Sequence, residues 1–258
     1  MLIDISQIEV FLLVFIRISS ALVVLPVFEN KAFPTSVKVG FSIALTLLLM
    51  PVLQLSLPHT SGTLVEYFLL AMREVACGIL MGFAGQFLFY AVEIAGQLIG
   101  FQSGLSIVSS IDPNTNANSD VLTKAYRLLM LMLFLSFNGH HLMLQTLVDS
   151  FHIVPIGQFS IDGRITEWAY HTGTLVMAKG VQLAAPLMIS LLLTDIGLGI
   201  LTRVAPTMNV FILGFPLKIG LTMFLASVSI GVVTNIFSVQ YVEFMRSFPS
   251  ILRLMVHP

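Results

Sequence analysis

Six charge-poor apolar segments follow one another along the chain, and each is about as long as a membrane-spanning helix. A charged side chain at the centre of a bilayer costs about 2.5–3.5 kcal/mol on insertion scales, so apolar runs with few charges mark the candidate spans. The pattern predicts an all-α, polytopic hydrophobic protein whose segments, several of them broken by Pro or Gly, form helical hairpins in a single domain, residues 1–258. The segments cover about residues 5–28, 39–57, 75–100, 128–148, 179–201 and 219–242.

The composition of the 258 residues supports this interpretation and narrows the function classes. Apolar residues make up 57% and charged residues 10%, against about 25% charged residues in a soluble domain. The formal net charge of −1 leaves no broad basic field, so we expect no nucleic-acid partner. Because Cys77 is the only cysteine, the chain forms no internal disulfide and holds no pair of metal-binding thiols. Residues 1–10 carry only acidic charges, which argues against a cleaved signal peptide.

The spacing of reactive side chains does not indicate a catalytic or metal site. No Ser/His/Asp or paired-carboxylate arrangement occurs with convincing spacing, so we expect no enzyme activity and no cofactor. The adjacent His140 and His141 point about 100° apart on a helix, and we expect that they do not bind one metal ion. Their neighbours Asn138 and Gly139 instead indicate a helix interruption, or a polar bond between helices, in the fourth segment.

Glycines recur every four residues in and around the third apolar segment. Such spacing lets another helix approach closely. That helix could belong to the same chain or to another subunit, and both interpretations stay open. The glycines are Gly78, Gly82, Gly96, Gly100 and Gly104.

Ionisable and polar side chains inside apolar segments are candidates for functional sites, because an ion at membrane depth needs a partner. Arg17 and Glu93 could serve in a proton relay, or Arg17 could pair structurally with an acid across helices. Asp195 could take part in the same relay or lie near a helix end. The candidate buried polar and ionic residues are Arg17, Glu74, Gln86, Glu93 and Asp195.

Three prolines predict that the last third of the chain is divided into short helical pieces. They are Pro186, Pro206 and Pro216. Transporters use broken helices to form binding sites, whereas packed bundles use them merely to bend.

Residues 101–120 form the least membrane-like stretch of the protein. Asp-Pro and the run of Asn residues favour turns, whereas apolar residues stand just ahead of them. A segment with an apolar first half and a polar second half suits a loop that faces a protein-lined cavity at membrane depth, and it equally suits an external linker. The residues concerned are Leu105, Ile107, Val108, Ser110, Ile111, Asp112, Pro113, Asn114, Asn116 and Asn118.

Many of these positions form one ordered pattern over nearly the whole chain. The pattern comprises Arg17, Pro26, the turn from Phe33 to Lys38, Glu74, Gly78, Gly82, Gln86, residues 95–100, Gln102, Gly104, Asp112-Pro113, residues 137–140, residues 149–151, Pro155, Pro186, Leu198-Gly199 and residues 203–216. In this order and spacing the chain resembles the FliR family of flagellar type III export-gate subunits, whose counterparts serve in virulence injectisomes. Asp195 departs from the family pattern, which commonly has an uncharged residue there, so no role is carried over to it.

The resemblance implies a structural and gating subunit of the flagellar export apparatus, located in the bacterial inner membrane at the flagellar basal body. Family members assemble with FliP and FliQ into a conical helical gate that contacts FlhB and membrane lipid, and unfolded flagellar proteins pass through this gate. The loop after the Gly-rich helix lines the interior as part of a plug, and it corresponds here to about residues 105–118. Ile107, Val108 and Ile111 would supply the seal, while Asn114 to Asn118 would keep the loop out of lipid.

Two alternatives to the export gate stay open. A secondary transporter would hold a small-molecule site among the broken helices, with Arg17, Glu93 and Asp195 as its ion pathway. An assembly scaffold would belong to the same apparatus without lining its conduit.

Overall fold

The computed structural model of the chain describes residues 5–29, 33–53, 63–106, 121–160, 162–207 and 209–256. Every regular element within these ranges is a helix, and the β structure there is one isolated antiparallel bridge between Phe159 and Val256. The all-α prediction is therefore confirmed. The helices are α1 (Ile5–Val24), α2 (Pro26–Glu29), α3 (Thr35–Leu53), α4 (Leu64–Ser103), α5 (Val121–Ser136), α6 (Gly139–Ile153), α7 (Gly163–Val204) and α8 (Val210–Leu254).

Five of the described helices are long and apolar enough to cross a membrane, and α5 with α6 forms a sixth candidate that is bent by 69°. This number agrees with the six apolar segments of the sequence. Asn138 lies at the bend with a φ of 57°, a left-handed conformation that few residues other than Gly adopt and that Asn tolerates better than most. The interruption predicted at Asn138 and Gly139 is confirmed.

Several helices extend well beyond the segments predicted for them. Helix α4 begins at Leu64, whereas the predicted segment began at residue 75, so Arg73 and Glu74 lie inside the helix rather than just before it. Glu74 forms an ion pair with Arg17 of α1. A charge with a partner inside the fold no longer has to stay outside an apolar helix, because partnering removes much of the cost of its burial.

The prediction that prolines divide the last third of the chain is wrong for two of the three. Pro186 lies inside the 42-residue helix α7 and Pro216 inside the 45-residue helix α8, and only Pro206 of the three lies between helices. A proline removes one backbone hydrogen bond, but ending the helix in apolar surroundings would leave several more groups unsatisfied. The helices therefore continue through both residues.

The chain divides into two compact units, and the first comprises Met1–Phe87, Leu135–His171 and Val242–Pro258. In this unit α1 packs against α3 and, through two glycines, against α4. The core consists of apolar side chains from α1, α4, α6 and α8. Its fully or almost fully buried members include Val14, Ile18, Leu22, Cys77, Leu147, Phe151, Phe248 and Leu252.

Gly78 and Gly82 bring the backbones of α1 and α4 together. A Cβ atom at Gly78 would lie 2.9 Å from the backbone nitrogen of Ala21, and a Cβ atom at Gly82 would lie 2.8 Å from the carbonyl oxygen of Ala21. Both distances are well below ordinary van der Waals contact. These two glycines therefore serve a helix contact within the chain.

The second unit comprises Leu88–Phe134 and Thr172–Tyr241. Phe134 of α5 packs edge-on against Phe89 of α4 and Tyr241 of α8, with ring centroids 5.6 and 6.2 Å apart. Gly96 of α4 lies against α5, since a Cβ atom there would be 2.9 Å from the Cα of Thr123. Close packing therefore fixes α4 in this unit as well.

The first turn of α7, which belongs to the first unit, is capped by the partly exposed side chain of Asp162. Asp162 Oδ1 accepts a hydrogen bond of 2.9 Å from the backbone N–H of Arg164, and Oδ2 accepts one of 2.7 Å from its Nε. The side-chain hydrogen bond from Arg164, aided by the backbone N–H groups, lowers the pKa of Asp162 below its ordinary value of 3.8. The charged form of the cap is therefore the stable form at neutral pH.

We expect Gly78→Ala to destabilise the first unit by about 1–3 kcal/mol, because the added methyl group overlaps the backbone of α1 and forces the two helices apart. The matched control is Gly40→Ala on α3, where a Cβ atom would meet nothing within 4 Å. The midpoint of denaturant unfolding in detergent measures the difference. Equal shifts for the two variants would contradict the close approach of α1 and α4.

Candidate functional site

A buried ion pair joins three helices in the first unit. Arg17 on α1 and Glu74 on α4 both have fully buried side chains, and Arg17 Nε donates a hydrogen bond to Glu74 Oε2. Arg17 Nη1 also donates to the carbonyl oxygens of Ser150 and Val154 at the end of α6, at 3.2 and 2.8 Å. The expectation that Arg17 pairs with an acid across helices is confirmed.

The turn after α6 is tied to the same ion pair. Glu74 Oε1 accepts a hydrogen bond of 2.8 Å from the backbone N–H of Gly157, and Arg73 Nη1 donates to the carbonyl oxygen of Gly157 at 2.7 Å. The guanidinium carbon of Arg17 lies 4.5 Å from the centroid of the Phe151 ring, which adds a cation–π contact. Both charges thus have partners inside the fold, while Nη2 of Arg17 is buried without a hydrogen-bond partner among the described residues.

Gln86 forms a separate buried contact between α4 and α1. Its Nε2 donates a hydrogen bond of 2.8 Å to the carbonyl oxygen of Val24. Val24 is the last residue of α1, so its carbonyl group has no partner further along that helix. Gln86 thus satisfies one end of α1.

The other two candidate ions lie in the second unit, and each has its own partner. Glu93 on α4 pairs with Arg127 on α5 at 3.5 Å, and both side chains are partly exposed. Asp195 on α7 pairs with Lys218 on α8 at 2.8 Å. Arg17, Glu93 and Asp195 therefore have three different partners in the described part of the chain.

Asp195 does not lie near a helix end, as had been expected for a structural role. It lies within α7, nine residues before the last one, Val204. Besides Lys218, the side chain of Gln102 donates a hydrogen bond of 3.0 Å to Asp195 Oδ2. These two partners explain how a carboxylate is accommodated inside an apolar helix.

A cavity of about 270 Å³ lies beside this ion pair. Its walls are mostly apolar, and Asp195 and Lys218 form their charged part. Thr202 also lines the cavity. Its hydroxyl group donates a hydrogen bond of 2.6 Å to the carbonyl oxygen of Gly199. The lining residues are Asp195, Leu198, Gly199, Thr202, Gly214, Phe215 and Lys218.

Helix α4 ends in a turn that needs a glycine. The N–H of Gly104 donates to the carbonyl oxygen of Phe101 at 3.2 Å, and Gly104 has a φ of +84°. A Cβ atom there would lie 2.7 and 2.8 Å from two ring atoms of Phe215. Gly100, which is buried, accepts the hydroxyl group of Ser103 at 2.9 Å. The turn at Gly104 therefore depends on a glycine, whereas Gly100 contributes only its backbone carbonyl oxygen.

Most of the predicted plug lies outside the described residues. Leu105 is described and half-buried just after the end of α4. Beyond the described range lie Ile107, Val108, Ser110, Ile111, Asp112, Pro113, Asn114, Asn116 and Asn118.

The two adjacent histidines do not point apart as expected. Nδ1 of His141 lies 3.0 Å from Nε2 of His140, and the ring centroids are 4.6 Å apart. The sequence-based geometry assumed a regular helix, whereas these residues form the first turn after the left-handed Asn138, and side-chain rotation brings the rings together. Within the described ranges, no group of three or more His, Cys, Asp or Glu side chains could hold a metal ion.

Lys218 and Arg73 were not predicted as site residues, and Gln102 entered only as a member of the family pattern, although all three hold a candidate ion or its neighbours. A signal for Lys218 was present, since it and Asp195 lie at nearly equal distances along the chain from Pro206. Residues placed symmetrically about the turn of a helical hairpin face each other. The contacts of Gln102 and Arg73 depend on long-range packing, for which the sequence carries no comparable signal.

The long apolar helices define a polytopic helical membrane protein. A family model described as bacterial export proteins, family 1, matches residues 8–244. The chain belongs to this family, and the resemblance to FliR proteins is confirmed. It is a component of the flagellar export apparatus, a membrane-embedded machinery, and the family is a structural part of that apparatus.

Curated relatives carry the same name across distant bacteria. The flagellar biosynthetic protein FliR of Escherichia coli (strain K12) is 35% identical over 206 residues, which cover 79% of this chain and 77% of the relative. The FliR protein of Bacillus subtilis (strain 168) is 35% identical over 244 residues, 92% of this chain and 93% of the relative. That of Caulobacter vibrioides is 25% identical over 242 residues, 94% and 96% of the two chains.

We expect Arg17→Met to destabilise the first unit by about 3–5 kcal/mol, because it leaves Glu74 charged, buried and without its main partner. The control is Arg127→Met at the partly exposed pair with Glu93, for which we expect about 0–1 kcal/mol. Chemical unfolding in detergent measures both.

Reversing the pair in the double variant Arg17→Glu, Glu74→Arg tests the wider network. We expect no rescue, because a glutamate at position 17 cannot donate to the carbonyl oxygens of Ser150 and Val154. Full recovery of stability by the reversed pair would contradict the importance of those backbone contacts.

Proposed function

We propose that this chain is a non-enzymatic, conduit-forming subunit of the flagellar export gate in the bacterial inner membrane. It assembles with FliP and FliQ, adjoins FlhB and gives passage to unfolded flagellar proteins. Its family membership supports a role in the export apparatus. The distribution of its apolar surface supports assembly with partner subunits.

The observation that carries the proposal is the bare apolar surface of α7 and α8. In the most apolar 18-residue stretch of each helix, only 17% and 11% of the residues are buried by the chain itself, against 44% in the first part of α4. Leu193 on α7 and Phe224 on α8 are 63% and 64% exposed. Such surfaces need a cover of lipid or of other apolar helices.

Glycines on these two helices favour protein as a large part of that cover. Cβ atoms built at Gly197, Gly220 and Gly231 would meet nothing within 4 Å. Small residues at helix interfaces let backbones approach closely in membranes, where helix association depends on packing rather than on the hydrophobic effect. In contrast to Gly78 and Gly82, these glycines have open space at the Cβ position within the described part of the chain, and they suit helices of partner subunits.

We include the plug, about residues 105–118, in the proposal because of its amino-acid sequence. Its apolar first half would seal the conduit and its polar second half would keep it from lipid, as irregular backbone at membrane depth requires a protein-lined cavity. The polypeptide leaves α4 at Gly104 to enter this segment, whose described part ends at Ser106.

We expect deletion of residues 106–118 to raise the ion conductance of cells or vesicles that contain the complete gate, without preventing co-purification of the chain with FliP and FliQ. A matched variant, Asn114→Ser with Asn116→Ser and Asn118→Ser, keeps the apolar half and should stay as tight as the unaltered protein. Conductance is measured by patch clamp or vesicle ion flux.

Unchanged conductance of the deletion variant would contradict the plug. A chain that purifies alone as a stable monomer or symmetric homo-oligomer, and does not co-purify with FliP and FliQ, would contradict the assembly and favour a transporter. Co-purification together with unchanged conductance would favour a scaffold that does not line the conduit.

A further inference from the structure

A polar cluster of three side chains joins three helices in the second unit. Asp195 of α7 accepts hydrogen bonds at Oδ2 from Gln102 Nε2 of α4 at 3.0 Å and from Lys218 Nζ of α8 at 3.1 Å. Lys218 Nζ also lies 2.8 Å from Asp195 Oδ1. One carboxylate thus fastens the last turn of α4 to both helices that flank the turn at Pro206.

A second contact fixes the same end of α4 independently of the cluster. Gly104 follows the last helical residue, Ser103, and its backbone lies so close to the ring of Phe215 on α8 that a Cβ atom would not fit. This contact is apolar, whereas the cluster at Gln102 is ionic. The end of α4 is therefore held on α7 through Gln102 and on α8 through the contact at Gly104.

The remainder of α4 in this unit has its own anchors. Gly96 lies against the backbone of Thr123 on α5, and a Cβ atom at Gly180 of α7 would be 3.0 Å from the carbonyl oxygen of Ala91. Loss of the Asp195 cluster would thus release the last turn of α4 without freeing the helix as a whole.

We propose that Asp195 is a positioning residue that couples the α7 and α8 hairpin to the point where the chain leaves α4. The hairpin carries the uncovered apolar faces, so contacts of other subunits there would shift the Asp195 cluster and, through Gln102, the end of α4 up to Leu105. The inference rests on the proposed function only where that function assigns the residues after 105 to the conduit. The coupling between α4 and the hairpin through this cluster depends on Gln102, Asp195 and Lys218.

The charge of Asp195 suits this role better than a purely structural one. Its side chain is 39% exposed and lies in the wall of the 270 Å³ cavity, whereas Lys218 is 14% exposed. Without the carboxylate, Lys218 would be an isolated cation among apolar walls and Gln102 would lose its described partner. Apolar contact between Gly104 and Phe215 would then be the main described link between the end of α4 and the hairpin.

A spin label at the end of α4 tests the coupling directly. Leu105→Cys in a Cys77→Ala background provides one thiol, and the nitroxide line shape reports the mobility of this position in the assembled complex. We expect Asp195→Ala to increase the mobility, and Gln102→Leu to do the same although it leaves the pair of Asp195 and Lys218 intact. The matched control is Glu93→Gln in the other ion pair of the same unit, for which we expect no change.

Charge reversal separates positioning from general stability. In the double variant Asp195→Lys, Lys218→Asp the ion pair is restored, and the amide of Gln102 can turn its oxygen to accept from the new ammonium group. We expect this variant to recover the low mobility.

Unchanged mobility in both Asp195→Ala and Gln102→Leu would overturn the proposal, and so would an equal increase in Glu93→Gln. Failure of the reversed pair to restore low mobility would also count against it. If mobility responds as expected but deletion of residues 106–118 leaves conductance unchanged, the positioning role stands and the plug of the proposed function fails.

Discussion

Ions within apolar helices must find their partners inside the chain or its assembly, and this constraint shapes the described part of the protein. Water is not available at membrane depth to solvate a charge, so an unpaired ion there is expensive. Arg17 and Glu74 meet the constraint with full burial of both side chains, and Nη1 of the guanidinium group donates to two backbone carbonyl groups at the end of α6. Because the pair draws on α1, α4 and α6 at once, the first unit cannot rearrange one of these helices without exposing a charge.

The second unit meets the same constraint with less burial. Its pairs, Glu93 with Arg127 and Asp195 with Lys218, are partly exposed, and the helices that carry Asp195 and Lys218 bury few of their own apolar residues. Because Asp195 and Lys218 pair with each other, they need no charged partner on another subunit, and the exposed faces of α7 and α8 are mostly apolar. Such faces are suited to contact other helices, which is how a single chain can contribute one part of a larger conduit.

The sequence was sufficient for the helical class, for the number of apolar spans and for the interruption at Asn138, because each depends on composition or on local backbone preference. It was insufficient for helix ends. Charges and prolines normally limit helices, but Glu74 and Pro186 lie inside long ones, since their costs are offset by partners and surroundings that only the fold provides. For the candidate site, the pairing of Arg17 could be anticipated from its isolation in an apolar run. The role of Gln102 could not, because it arises from contacts between residues 93 positions apart.

The central claim is that sister subunits, rather than lipid alone, cover the apolar faces of α7 and α8. Photo-crosslinking from a benzophenone amino acid at Leu193 or Phe224, in membranes that contain the complete export apparatus, tests it most directly. We expect covalent adducts with other protein subunits at both positions, and their loss when those subunits are absent. Adducts with lipid alone at both positions, in a fully assembled apparatus, would contradict it.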